Sequence, residues 1–161
     1  MAVDFAMAIG LESKDLILAI ILVQFVGFPA TLIFASFAQK IGEKKAILIG
    51  VSVYAIACLL GAGMKTAAHF YALAIVIGCV QGGVQAMSRS FYGKLIPENQ
   101  AGEYFGFYNM FGKFSAILGP FLVGLTAYWT SSSRASLGVI VVLFIIGGYL
   151  LARVQPPEAQ V

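Results

Sequence analysis

Two pairs of polar side chains in this sequence sit at the spacing that shares a helix face, and both pairs lie in otherwise apolar chain. Lys113 follows Asn109 by four residues, and Gln85 follows Gln81 by four. The ammonium can hold an anionic group such as a carboxylate, or carry a proton if burial lowers its pKa. The amides would line the same path, and Gln24 adds a fifth polar side chain in a third apolar segment. What makes the chemistry specific is the medium. The run from Tyr104 to Trp129, YFGFYNMFGKFSAILGPFLVGLTAYW, contains no charge besides Lys113. In a helix, Lys113 lies roughly 14 Å from the start of that run. A bilayer's hydrocarbon core is about 30 Å thick, so the ammonium falls near its midplane. A charge there is costly and normally faces protein or water.

A structural explanation competes for each of these residues. A lysine stem reaches only about 6 Å beyond the backbone, which is short for snorkelling from that depth. No Asp or Glu lies within any apolar run to pair with Lys113, so the functional reading is favoured. For Gln24, Gln81, Gln85 and Asn109, cross-helix hydrogen bonds worth about 0.6 to 2 kcal/mol each explain the residues equally well. Packing is the better account of Gly78, Gly82, Gly106, Gly119 and Gly124, because small residues let helix backbones approach. Pro29 and the Gly119-Pro120 pair mark expected bends.

The elements that must position these residues follow from the charge pattern. The chain is 60% hydrophobic and 11% charged, with mean hydropathy +0.93, against about 25% charged for a soluble domain. No charge occurs between Asp15 and Lys40, from Ala46 to Met64, from Thr66 to Ser88, or from Ala135 to Ala152. With the Lys113 run, that makes five segments of spanning length. The expected fold is an all-α polytopic membrane helix bundle with five transmembrane helices in one domain, residues 1–161. Residues 1–14 read as the tail of a preceding helix and a loop, 15–153 as the five spans and 154–161 as a polar tail. The predicted helices cover about 16–38, 46–63, 70–92, 104–128 and 135–151. The basic turn QKIGEKK separates the first two, and a loop centred near Pro97 separates the third and fourth.

Basic residues then set the orientation. Lys40, Lys44, Lys45, Arg89, Lys94 and Arg153 fall at one end, and Lys14, Lys65 and Arg134 at the other. The excess favours the first end, and with it the C-terminus, as cytoplasmic. The third and fourth helices should be antiparallel about Pro97. That places Gln81 level with Lys113, Gln85 with Asn109 and Ser88 with Gly106, so two polar stripes would face each other at matching depth.

Several function classes drop out. The net charge of +3 is small and spread along the chain, which does not suggest nucleic acid. Cys58 and Cys79 lie inside apolar runs and read as packing residues, and the one histidine, His69, sits at a turn. No metal site, cofactor or catalytic residue is expected, because no span carries a nucleophile with a base or a carboxylate pair. MAVDFAMAIGL lacks the basic n-region of a signal peptide. A membrane protein with a polar pathway at Lys113 is the preferred reading, and a non-transporting membrane subunit that packs against a partner is the alternative.

The stretch GGVQAMSRSFYGKLIPENQAGEYFGFYNMFGKFSAILGPFLVGL resembles the vacuole effluxer-like branch of the major facilitator superfamily. The turn ASFAQKIGEKK resembles that superfamily's cytoplasmic loop motif. Lys40, Gly42, Lys44 and Lys45 keep the pattern, whereas Ala35 stands in place of its Gly and Gln39 in place of its Asp. The resemblance runs from about Val3 to Arg153. It implies twelve helices in two halves with a small solute held between them, moved by alternating access. This chain resembles the second half, entered near the end of its first helix. Its partners would be the lipid bilayer and an N-terminal transporter half. Amino acids are the substrate class that the fungal vacuolar branch implies.

Overall fold

A computed structural model describes residues 13–63, 66–130 and 133–155. The N-terminal segment MAVDFAMAIGL, the end of the polar tail and Lys65 lie outside the described residues. Five α-helices follow in order: α1 Ser13–Ile41, α2 Glu43–Ala62, α3 Ala67–Leu95, α4 Ala101–Thr130 and α5 Ser133–Arg153. One 3-10 turn, Glu98–Gln100, lies between α3 and α4 after Pro97. No strand occurs among the described residues. The chain is an all-α helical membrane protein.

The helices extend past the charge-free runs at most ends, and the expected basic turn shrinks accordingly. Gln39, Lys40 and Ile41 continue α1, and α2 begins at Glu43. Only Gly42 separates them. Its φ of 91° is a left-handed conformation that glycine adopts without steric cost. Gln, Lys and Glu are good helix formers, so nothing but Gly42 interrupts the helical pattern here. Both prolines are carried inside continuous helices, Pro29 in α1 and Pro120 in α4.

Four helices are long and apolar enough to cross a membrane: Ile17–Ile41, Glu43–Gly61, Ala68–Leu95 and Ala101–Thr130. The fifth expected span is shorter, with an apolar stretch of Leu137–Arg153. That sits at the lower limit of about 17 residues for a spanning helix. Polar Ser133 begins α5 and Arg153 ends it, so its apolar part falls short of the helix itself.

The distribution of side-chain size is inverted relative to a soluble protein. Among the described residues, Ala19, Ala38, Ala46, Ala57 and Ala74 make up most of the buried apolar set, joined by Ile47, Val80, Phe91 and Val123. Phe25, Phe28 and Ile117 are instead 70 to 78% exposed. Lipid is as apolar as a protein interior, so large residues gain nothing by turning inward, and small residues bring backbones together. Tyr128 and Trp129 are exposed at the end of α4, where an aromatic pair suits a membrane–water boundary.

The packing order is α1, α3, α2, α5, α4. α3 packs between α1 and α2, α5 packs against α2 and α4, and α1 touches α2 more lightly. A Cβ on Gly78 would lie 3.1 Å from the backbone oxygen of Val23, and one on Gly27 would lie 3.4 Å from the backbone oxygen of Gly78. Further along, Gly82 faces Thr31 and Gly83 faces Phe34. These pairs advance together in sequence, so α1 and α3 run parallel. α2 runs antiparallel to α3, with Glu43 at Ser90 and Gly50 at Val84. It is also antiparallel to α5, where Tyr54 stacks on Phe144 at 5.5 Å between ring centroids. Consecutive helices thus alternate in direction, as an up-and-down bundle requires. α1 and α4 are left as the two ends of the packed row.

Candidate functional site

α4 carries the lysine, and its surroundings are open. Lys113 is 12 residues past Ala101, roughly 18 Å along a helix about 45 Å long. Lys113 and Asn109 are exposed, as are Gly102, Gly106, Ala116, Pro120 and Gly124. Their spacings of three and four residues put them on one stripe. No atom lies within 4 Å of a Cβ built on Gly102, Gly106, Gly119 or Gly124. Gly106, Gly119 and Gly124 therefore meet no packing neighbour among the described residues. α4 spends its contacts on α5, and Val123 is its buried residue.

The α3 stripe is split by its neighbours. Gly78 and Gly82 form one edge and press on α1, as the packing reading requires. Gln81 and Gln85 form the other edge and are exposed. The same division holds on α1, where Gly27 and Thr31 meet α3 while Gln24 is exposed. A stripe about 100° wide is broad enough to be half packed and half free.

The structure does not bring the α3 and α4 stripes into contact. These two helices meet at Tyr92, whose hydroxyl donates to the backbone oxygen of Tyr104 at 3.0 Å. Its ring packs on Phe105 and Tyr108 at 5.6 and 4.8 Å. Beyond that aromatic cluster the helices share little, since α3 is held by α1 and α2. None of Gln24, Gln81, Gln85, Asn109 and Lys113 makes a side-chain hydrogen bond or ion pair among the described residues.

Hydroxyl groups are withdrawn from this surface. Thr31 donates to the Gly27 carbonyl at 2.7 Å, Ser115 to Phe111 at 2.9 Å and Thr126 to Leu122 at 2.7 Å. Each satisfies itself within its own helix. On the α4 stripe, the polar groups left to meet a solute are thus the Asn109 amide and the Lys113 ammonium.

The loop-motif residues form a separate cluster at the bundle end where α1 ends and α2 begins. Lys44 donates to the backbone oxygens of Ala152 and Val154 at 3.0 and 2.7 Å, which caps α5 with a cation at its negative end. Lys94 reaches Glu43 at 2.9 Å, and the Ser90 hydroxyl donates to the same carboxylate oxygen at 2.6 Å. Gln39, Lys40 and Lys45 are exposed. Arg153 bonds Tyr149 and lies 4.9 Å over its ring. Sequence reading did not single out Glu43. Its partners are 47 and 51 residues away, and the signal that could have found them was the antiparallel register of α2 and α3.

A family profile described as vacuole effluxer Atg22 like matches residues 2–160. An uncharacterized MFS-type transporter of Bacillus subtilis, YxiO, is 36% identical over 160 residues, covering 99% of this chain and 37% of that protein. Autophagy-related protein 22 of Pichia angusta is 35% identical over 114 residues, 66% of this chain and 20% of that protein. The Saccharomyces cerevisiae protein of that name is 38% identical over 74 residues, 46% of this chain and 14% of that protein. The chain therefore spans little more than a third of the bacterial relative's length and a fifth or less of the two fungal ones. No solved structure matches.

Proposed function

This chain belongs to the vacuole effluxer Atg22-like family, and from that premise we propose that it works as the C-terminal portion of a secondary transporter. The family is of transporter type rather than an enzyme, and the chain is a multi-pass integral membrane protein. In the proposed reading, an N-terminal half packs against the free faces of α1 and α4. A small solute moves between the halves by alternating access. Lys113 holds an anionic group of that solute, with Asn109 beside it and Gln81, Gln85 and Gln24 along the path.

The observation that carries the proposal is an ammonium in the middle of a 30-residue apolar helix, exposed and without a partner among the described residues. Lipid does not tolerate that group cheaply. A polar pathway does, and a carboxylate passing along it gains a partner that has no competing bond. Amino acids are the first class to try, since each carries an α-carboxylate that is ionised at neutral pH. The test is uptake or efflux by the intact transporter against a panel of amino acids, their amides and other small carboxylates. Transport should require the free carboxylate. Equal transport of the amides would remove the proposed role of Lys113.

Orientation follows from the same reading. The end bearing Lys44, Lys94 and Arg153 faces the cytoplasm, and Lys14 faces the opposite side. Cysteines placed singly at positions 14 and 44 should label from opposite sides of intact membranes. Labelling from the same side would overturn the alternating topology.

A further inference from the structure

A cavity of about 610 Å³ opens at the bundle end where α1 stops, α2 starts and α3 stops. Lys44, Lys45 and Lys94 are among its lining residues, against one acidic residue, Glu43. That carboxylate is already engaged, since one of its oxygens takes both Lys94 and Ser90. Lys44 is committed to the carbonyls at the end of α5. Lys45 is exposed and has no hydrogen bond or ion pair among the described residues. The rest of the lining includes Ala35, Ala38, Met87 and Phe91, which are apolar.

The position of the cavity along the helices selects the ligand. The apolar segments of α1, α2 and α3 run over Ile17–Ile41, Glu43–Gly61 and Ala68–Leu95. The lining residues stand at one end of all three, at the level where hydrocarbon gives way to headgroups. An excess of ammonium groups disfavours a cation. Apolar side chains among those ammonium groups suit a ligand that is charged at one end and greasy at the other.

We infer that this cavity binds the headgroup of an anionic membrane phospholipid, with Lys45 and Lys94 meeting its phosphate and Met87 and Phe91 lying against the start of its acyl chains. Basic pockets between membrane helices recognise such headgroups through charge and level together. The site lies apart from Lys113 and rests only on the helices crossing a bilayer, so it stands whether or not the transport reading does.

The test uses purified protein in neutral detergent, titrated with phosphatidylglycerol or phosphatidylcholine of identical chains and read as bound lipid by native mass spectrometry. Phosphatidylglycerol should bind the more tightly. Lys45→Gln should weaken it about fivefold, the effect of one lysine near a membrane surface, and Lys45→Gln with Lys94→Gln should remove the preference. Lys14→Gln, at the opposite end of α1, should change nothing. Equal binding of the two lipids would overturn the inference, as would an unchanged preference in the double variant. Inorganic phosphate at millimolar concentration should not displace the lipid. Full displacement would mean that the site takes a free anion instead. If loss of the Lys94–Glu43 pair unfolds the double variant, Lys45→Gln alone decides, because Lys45 holds no other residue in place.

Discussion

Lys113→Met in the intact transporter should abolish transport while the protein still inserts and accumulates. Methionine keeps most of the apolar stem and removes only the charge. Lys113 makes no ion pair or hydrogen bond among the described residues, so none of them is left unpaired by its loss. Removing a costly charge from an apolar helix should leave the melting temperature in detergent equal or higher. Lys113→Arg keeps the charge but changes its shape and hydration, and should retain part of the activity. Normal transport by the Met variant would end the functional reading. Loss of folding in that variant, rescued by a charge placed elsewhere in the bundle, would show an ion pair with the other half instead.

Gly78→Leu should prevent stable assembly of α1 on α3. A Cβ at that position lies 3.1 and 3.2 Å from the backbone oxygen and Cα of Val23. Backbone cannot rotate away as a side chain can, so the helices must separate along their shared face. Overpacking of this kind costs about 1–3 kcal/mol, and more where the obstacle is rigid. The expected result is a fall in detergent melting temperature of several degrees or outright loss of folded protein. Gly106→Leu is the matched control. Nothing lies within 4 Å of its added Cβ, so this chain's own fold should tolerate it. Transport by the intact protein should nevertheless fall if the Gly106 face of α4 meets the other half. Equal melting of the two variants would mean that α1 and α3 are not held by the Gly78 contact.

The spans were legible in the sequence because charge is excluded from hydrocarbon, which writes helix positions directly into the spacing of Lys, Arg, Asp and Glu. The missing basic turn was not, because Gln39, Lys40, Glu43 and Lys44 are ordinary helix formers and only Gly42 breaks the pattern. The packing of Gly78 and Gly82 was readable, since small residues at helical spacing in an apolar run have few other uses. Gly106, Gly119 and Gly124 carry the same signal but meet no neighbour among the described residues, because a small residue signals a close approach without naming what approaches. Lys113, Asn109, Gln81 and Gln85 were visible as polar groups in apolar chain. Their separation was not, since it follows from which helices α3 and α4 choose as neighbours.

The hydroxyls of Thr31, Ser36, Ser52, Ser115 and Thr126 all donate to the carbonyl four residues before them. A helix whose hydroxyls are satisfied in this way brings few unmet polar groups into lipid when it is synthesised. Each segment can therefore leave the insertion machinery singly, before its neighbours exist, and assembly becomes a later step driven by contacts such as Gly78 with Val23. α1 and α3 bring in the unmet amides of Gln24, Gln81 and Gln85, but α4 brings in a charge, since Lys113 has no side-chain partner among the described residues. Its entry into the membrane should be the slow event of biogenesis, and the one most helped by helices already waiting there.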